Sequence, residues 1–360
     1  MSKKTILHII DSLSIGGAET LLINANVKLP GFRHVLVHLK EPNVYEGQLS
    51  KLPVVCLGFN NWFSLPRAVI KLRKLIEQHQ VSVVHSHLYY STIVARLACP
   101  RGVPLISSYH SLLYNPANRA QYSKKLLLLD RLTYCRHHYL LFVSKAVQSL
   151  VSRAVGVKGR NEVLYNYVDD KYFADNHCNH REHIPPLRIV MLGNLRPEKN
   201  YSTVVQALHQ LPSANLTLDI YGDGTQREAL RDTIHQHGLA EKITLKGRIE
   251  QPDRVLPDYD LYIAASRFEG FGIALAEAMA SGLPCLVSDI AAHWEVADDT
   301  VVYFDPDDLE SLPNKISLLV REPKRMSQMQ ALSKQRAALF RKRSYMERLG
   351  NIYNEVLSDD

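Results

Sequence analysis

Glu269 and Glu277 bracket a stretch, Glu269-Gly270-Phe271-Gly272-Ile273-Ala274-Leu275-Ala276-Glu277, whose residue types suit the handling of an anion and of hydroxyl groups. Gly270 and Gly272 let the backbone pass close to a ligand. A helix opening near Gly272 presents free N–H groups to an anion, as a diphosphate requires. A carboxylate one turn inside that helix, Glu277, can accept hydrogen bonds from both hydroxyls of a ribose; the plainer reading is a favourable charge near a helix start. For Glu269 the plain reading is a loop carboxylate in solvent. A glycosidase-like pair fits poorly: retaining carboxyls lie ~5–5.5 Å apart, whereas this much helix rises ~12 Å. Opposite ends of one extended ligand fit the spacing better.

These residues need elements to hold them. Short apolar, β-branched runs at 6–11, 34–39, 54–57, 81–85, 104–108 and 139–143 alternate with amphipathic segments at 18–29, 66–79, 91–99 and 145–154. The pattern restarts at 187–192 and continues with strand signals at 216–221, 243–246, 261–264, 285–288 and 301–304. Helix signals at 200–211, 225–237 and 273–281 lie between them. Such alternation predicts parallel sheets covered by helices, here two doubly wound α/β domains in series. The expected boundaries are a first domain over 1–175, a linker over 176–186 and a second domain over 187–335. A helix over 336–360 can pack back on the first domain. The linker holds His177, Cys178, His180 and His183 and ends in Pro185-Pro186. Its spacing matches no zinc signature, so it reads as a solvated, His-rich connection.

Composition narrows the class. Hydrophobic residues make up 46% and charged residues 22% of the 360, a globular balance. No apolar run approaches the ~20 residues of a bilayer span. The opening Thr5-Ile6-Leu7-His8-Ile9-Ile10 reads as a buried strand and not as a signal peptide. Five cysteines without C-x-x-C spacing suggest reduced thiols in a cytoplasm. Residues 1–180 hold 22 Lys/Arg against 10 Asp/Glu, and residues 181–360 hold 21 against 26. The basic first half suggests an anionic partner such as a membrane surface, a phosphorylated acceptor or nucleic acid; a plain solvated surface is the alternative. Two segments carry it: Gln121 to Arg131, where Lys124 and Lys125 flank a leucine run, and 66–79 with Arg67, Lys71, Arg73 and Lys74. A buried core helix is the rival reading of the first segment.

In open α/β sheets ligands bind beyond the carboxyl ends of the strands. Ser14-Ile15-Gly16-Gly17-Ala18-Glu19 follows the first strand, His87 the fourth and His110 the fifth. In the second half Gly193-Asn194-Leu195-Arg196-Pro197-Glu198-Lys199, Gly222-Asp223-Gly224 and Ser266 to Gly272 occupy the same edge. If the two edges face each other, these residues line one cleft.

The stretch Glu269 to Glu277 resembles the E-x7-E motif of the family 4 retaining glycosyltransferases, which have the GT-B fold. Other matches run in order over residues 5–310: Gly16-Gly17-Ala18-Glu19, His85-Ser86-His87, Tyr109-His110, Phe142-Val143-Ser144-Lys145, Glu198-Lys199-Asn200 and Gly222-Asp223-Gly224. The resemblance implies two Rossmann-like domains facing a central cleft, the first binding the acceptor and the second the nucleotide-sugar. It implies that Lys199, and Arg196 beside it, neutralise the leaving diphosphate, and that Arg248 and Ile249 hold the base. It implies that Gly16 and Gly17 admit the donor, that His110 bonds its sugar, that Glu269 contacts the transferring sugar and Glu277 the ribose. Gly222, Gly270, Phe271, Gly272 and Ile273 complete the donor set. Asn194 stands where the family has arginine, and Asn166-Tyr167-Val168-Asp169 replaces the family's N-G-V-D.

The resulting expectation is a metal-independent, retaining hexosyltransferase without cofactor. Its donor is a UDP-sugar, its acceptor a glycan or lipid-linked hydroxyl in surface polysaccharide or lipopolysaccharide synthesis. It is expected to work in the cytoplasm, on the inner face of the membrane, with no nucleic-acid partner. Asp258-Tyr259-Asp260 spells D-x-D but precedes a strand, on the wrong edge for ligands, and Asp305-Pro306-Asp307 reads as a turn. A sugar-nucleotide epimerase of the same fold and an inactive sugar-nucleotide-binding protein stand as alternatives. A dinucleotide oxidoreductase needs G-x-G-x-x-G after the first strand, which is absent.

Overall fold

The computed structural model describes residues 3–117, 123–174 and 186–358. Strand β1 (Thr5–Ile10) is buried at all six positions, as a central parallel strand covered on both faces must be. It lies within a seven-stranded sheet with β2 (Arg33–His38), β3 (Val54–Cys56), β4 (Val81–His87), β5 (Leu105–Tyr109), β6 (Tyr139–Phe142) and β7 (Asn161–Val163). The order is β3-β2-β1-β4-β5-β6-β7, every pair parallel. The second sheet holds β8 (Leu187–Leu192), β9 (Leu216–Tyr221), β10 (Ile243–Gly247), β11 (Leu261–Ala264), β12 (Cys285–Ser288) and β13 (Val302–Phe304). Its order is β10-β9-β8-β11-β12-β13, again all parallel. Both are Rossmann-like sheets. In each, the strand order reverses beside the first strand, leaving a crevice at the carboxyl ends of β1 and β4 and of β8 and β11.

The chain forms two compact units, 3–166 with 342–358 and 167–341 among the described residues. The first junction thus falls at Asn166/Tyr167 rather than near 175. Residues past it are claimed by the second unit: the Val168 N–H donates to Phe340 O (2.7 Å), and Lys171 pairs with Asp253 (2.7 Å). The second junction lies at Arg341/Lys342. The helix Lys342–Ser358 packs on the first unit, where Tyr345 Oη donates to Asn26 Oδ1 (2.9 Å) and Arg348 pairs with Glu162 (2.5 Å). The His-rich segment 176–185 lies outside the described residues. Among those described, no helix is long and apolar enough to cross a membrane.

Two polar systems are buried in the first unit. Arg96 and Asp130 form an ion pair, and the hydroxyls of Tyr109 and Tyr114 donate to the same carboxylate. His8, His34, His85 and His87 form a cluster of neighbouring rings. Burial first, then the neighbouring imidazoles, hold His8, His85 and His87 well below the ordinary histidine value; burial likewise lowers His34. An unfolded chain protonates these rings below about pH 6.5 while the folded one does not. Stability is therefore complete above that pH and is lost as pH falls beneath it. Thermal unfolding of the first unit should shift down between pH 7 and 5, by up to ~1.4 kcal/mol per pH unit for each ring that stays neutral. A flat profile across that window would contradict the account.

Candidate active site

The crevice beside β8 and β11 brings together two loops distant in sequence. The loop after β8 turns at Gly193 (φ 142°) and carries Asn194 to Lys199. Gly222 packs directly against it: a Cβ there would collide with Gly193 O. Only glycine fits, since Gly222 also has φ 152°. The loop after β11 carries Ser266 to Gly272. Backbone joins the two loops, the Arg267 N–H donating to Glu198 O (2.8 Å).

Lys199 and Glu269 meet here, Nζ to Oε1 at 2.5 Å across 70 residues of sequence. Ser266 Oγ donates to the same Oε1 (2.8 Å). Burial by itself would raise the Glu269 carboxyl; the charges of Lys199 and His293 and the two hydrogen bonds outweigh it and lower the pKa. His293 was not foreseen. It sits on the helix Ala291–Ala297 that follows β12, fully buried, with Nδ1 within 2.9 Å of Ser288 O. Its Nε2 has no hydrogen-bond partner among the described residues and lies about 4 Å from a Cβ built on Gly272. An inventory of β12's carboxyl end would have found it.

The helix Ile273–Ala280 starts at Gly272 (φ 97°), and no side chain caps it. Its first amides are thus open to an anion. Phe271 is buried and stacks edge-on against Phe340 (5.3 Å), which fixes the entry to the helix. Lys199, Tyr201, Ser266, Glu269, Gly272 and His293 line one pocket. Glu277 is not among the residues that line this pocket. Burial pushes its carboxyl up to about 7, against the hydrogen bond from Tyr172 and the charge of Lys171. Tyr172 comes from the short turn Asp170–Phe173, and no sequence signal marked it.

The remaining candidates are dispersed. Arg196 is solvent-facing, 4.0 Å from Glu198, and Asn194 is exposed. Arg248 follows β10, pairs with Asp223 at 3.6 Å and is mostly exposed, with Ile249 half-buried beside it. Asp260 is held at the amino edge by Arg188, whose N–H it accepts at 2.8 Å. In the first unit Gly16 precedes the helix Gly17–Asn24, and the Glu19 carboxylate fills the space a side chain on Gly16 would need. Both ring nitrogens of His110 are shut from solvent without a partner among the described residues. Burial lowers that ring to about 4.

Two family models match the chain: Glycosyltransferase Family 4 over residues 15–172 and Glycosyl transferases group 1 over 177–336. EpsF of Bacillus subtilis (strain 168), a glycosyltransferase by name, is 25% identical over 311 residues, 80% of each chain. An Escherichia coli UDP-Gal:alpha-D-GlcNAc-diphosphoundecaprenol alpha-1,3-galactosyltransferase is 25% identical over 242 residues, 62% of each chain. The chain spans only 37% of the Streptococcus pneumoniae GtfA subunit, to which it is 31% identical over 188 residues, 48% of its own length. Among solved structures, Anabaena HepE in complex with UDP matches with a TM-score of 0.84 at 18% identity, covering 98% of this chain and 100% of that one. A further HepE structure holds UDP-glucose (TM-score 0.82, 19% identity, covering 99% and 100%). These likenesses place the fold in the GT-B class.

Replacing Lys199 by Met should raise the pKa of the Glu269 carboxyl, because burial then acts with its main counter-charge removed. Carboxyl carbon NMR titration of the parent and variant measures this. An unmoved titration would mean that the ion pair does not set the charge of Glu269.

Proposed function

The chain belongs to the family 4 glycosyltransferases, and on that premise we propose that it transfers a sugar from UDP to a hydroxyl of a glycan or lipid-linked acceptor, with retention and without a metal. The Lys199–Glu269 pair beside an uncapped helix start carries this reading. A departing diphosphate gathers negative charge, and preorganised cations and amides meet it best. Lys199 supplies the cation; the amides at Gly272 and Ile273 supply the dipole. Arg196 faces solvent, so the charge falls mainly on Lys199.

Each remaining role follows from chemistry. Glu269, kept ionised by Lys199, accepts hydrogen bonds from hydroxyls of the transferring sugar. Glu277 accepts from the ribose hydroxyls. The C1–O bond to the diphosphate breaks, the acceptor oxygen bonds C1 on the same face, and its proton passes to the departing phosphate oxygen. Arg248 and Ile249 are assigned to the base, and Gly16, Gly17 and His110 of the first unit to the donor, on family resemblance. The UDP complexes of HepE support uridine. The metal-free reading is supported by Asp260 being engaged with Arg188 at the amino edge.

The acceptor side is assigned to the first unit. Its helices Leu65–Gln78 and Lys124–Thr133 flank Tyr89–Ala98. The rival reading of 124–133 as a core helix fails, since Asp130 is its buried residue and Leu128 and Leu132 are 56% and 74% exposed. Phe63 (94%) and Ile70 (58%) are exposed beside Arg67, Lys71 and Lys74. Apolar side chains among cations suit the headgroup boundary of an anionic leaflet.

Transfer from a UDP-sugar should persist in excess chelator and fall about 10²- to 10³-fold in kcat in Lys199→Ala. UDP should bind more weakly at pH 6 than at pH 8, as Glu277 protonates, and Glu277→Gln should flatten that dependence. Equal UDP affinity in Glu277→Ala and parent would remove the ribose assignment; loss of turnover in chelator, restored by manganese, would remove the metal-free one. In flotation at low salt the protein should rise with phosphatidylglycerol vesicles, and Phe63→Ser with Leu132→Ser should release it. No flotation of the parent would end the membrane proposal.

A further inference from the structure

A row of imidazoles crosses the first sheet from β2 to the ligand edge. His34, His8, His87 and His110 follow one another with ring centroids 5.4, 5.7 and 5.8 Å apart. His34 Nε2 lies 2.9 Å from Leu29 O, His34 Nδ1 lies 3.2 Å from His8 Nε2, and His8 Nδ1 lies 3.4 Å from His87 Nε2. The tautomers follow from one acceptor. A carbonyl only accepts, so His34 carries its proton on Nε2 and offers the lone pair of Nδ1. His8 must then donate from Nε2 and accept on Nδ1, and His87 must donate from Nε2. This leaves His87 Nδ1 with a bare lone pair. That nitrogen is fully buried and has no partner among the described residues.

The neighbours do not use it. His85 is satisfied on both sides, by Tyr353 Oη and by Ser108 Oγ, each at 2.7 Å. Nitrogens of His8, His85 and His87 lie within 4.8 Å of one another, the spacing of a metal cluster. However, both His85 nitrogens are already committed to the Tyr353 and Ser108 hydroxyls. What adjoins His87 is His110, whose two nitrogens are likewise buried and unpartnered. A buried acceptor next to a buried ring with one donor and one acceptor calls for a group that both donates and accepts. β4 ends at His87 and His110 follows β5, so the place lies on the ligand edge beside the strand-order reversal.

We propose that the chain His34–His8–His87 is a directional relay that fixes His87 Nδ1 as an acceptor, and that His87 and His110 together bind one hydroxyl group. The hydroxyl comes from a sugar, which rests on the donor reading above, or from a water in its place. It donates to His87 Nδ1 and accepts from the N–H of His110. His87 thereby positions His110, and the remote His34 sets which nitrogen of His87 is available.

Long-range proton–nitrogen NMR of the full chain, labelled with nitrogen-15 histidine, tests both parts. In the free protein His34, His8 and His87 should each be protonated at Nε2, with His87 Nδ1 unprotonated, and in at least one state His87 Nδ1 should show the shift of a hydrogen-bonded acceptor. A proton on His87 Nδ1 overturns the relay; an unbonded Nδ1 in every state overturns the hydroxyl subsite. UDP, UDP-glucose, UDP-galactose and UDP-N-acetylglucosamine are then added at saturation. A change at His87 Nδ1 with a UDP-sugar but not with UDP assigns the hydroxyl to the sugar; one hydrogen-bonded signal throughout assigns it to water. If calorimetry finds that none of these nucleotides binds, the donor reading falls while the free-protein tautomers still judge the relay. His34→Phe, which touches no proposed substrate position, should let His87 populate both tautomers. A single unchanged tautomer in that variant would also overturn the relay.

Discussion

A carboxylate drawn largely out of water keeps its charge when a cation and hydrogen-bond donors meet it there. Glu269 is such a carboxylate, and Lys199 is that cation. Their contact ties the loop after β8 to the loop after β11, two strands that are neighbours because the sheet reverses its order between them. Removing either partner leaves the other charge in the pocket uncompensated, which is costlier than the pair itself is stabilising. The pair therefore holds the loops in position before any ligand arrives. Gly222 allows the close loop packing beneath it, and the Arg267–Glu198 backbone bond ties the loops a second time.

Around that pair the second unit distributes its charge unevenly. Glu269 is held below the ordinary carboxylate range and Glu277 is pushed up to about 7. The contrast comes from partners: Glu269 faces Lys199 at contact distance, whereas Glu277 is met by the Tyr172 hydroxyl and the charge of Lys171, which burial outweighs. Two carboxylates on one short stretch of chain thus have separate electrostatic tasks. The separation is consistent with one contacting a sugar and the other a ribose in the proposed reaction.

The first unit solves burial differently. Arg96 and Asp130 pair with each other, and tyrosine hydroxyls complete the carboxylate's bonds. The histidines instead give up charge, and their hydrogen bonds run in one direction from the Leu29 carbonyl. The helix Lys342–Ser358 closes over them with Tyr353, although it lies at the far end of the sequence.

Much of the scaffold was legible in the residues. The strands β8, β9, β11 and β12 fall where the apolar runs predict them, because a strand covered on both faces must be apolar at nearly every position. β7 went unread, since Asn161-Glu162-Val163 is a short, half-exposed edge strand without such a run. The helices Ala291–Ala297 and Ser311–Arg321 were also unread. The glycine turns and Lys199, Glu269 and Glu277 were legible because glycine before a helix, and charge at a strand's carboxyl end, are local signals. Sequence alone thus determined two parallel-sheet units and the residues on their ligand edges. Only tertiary structure decided that Lys199 meets Glu269, that Arg196 faces solvent, that His293 and Tyr172 join the site, and that the first junction falls at Asn166/Tyr167. Those outcomes depend on contacts between residues far apart in the chain, and no local pattern of residue types encodes which distant partner a side chain will find.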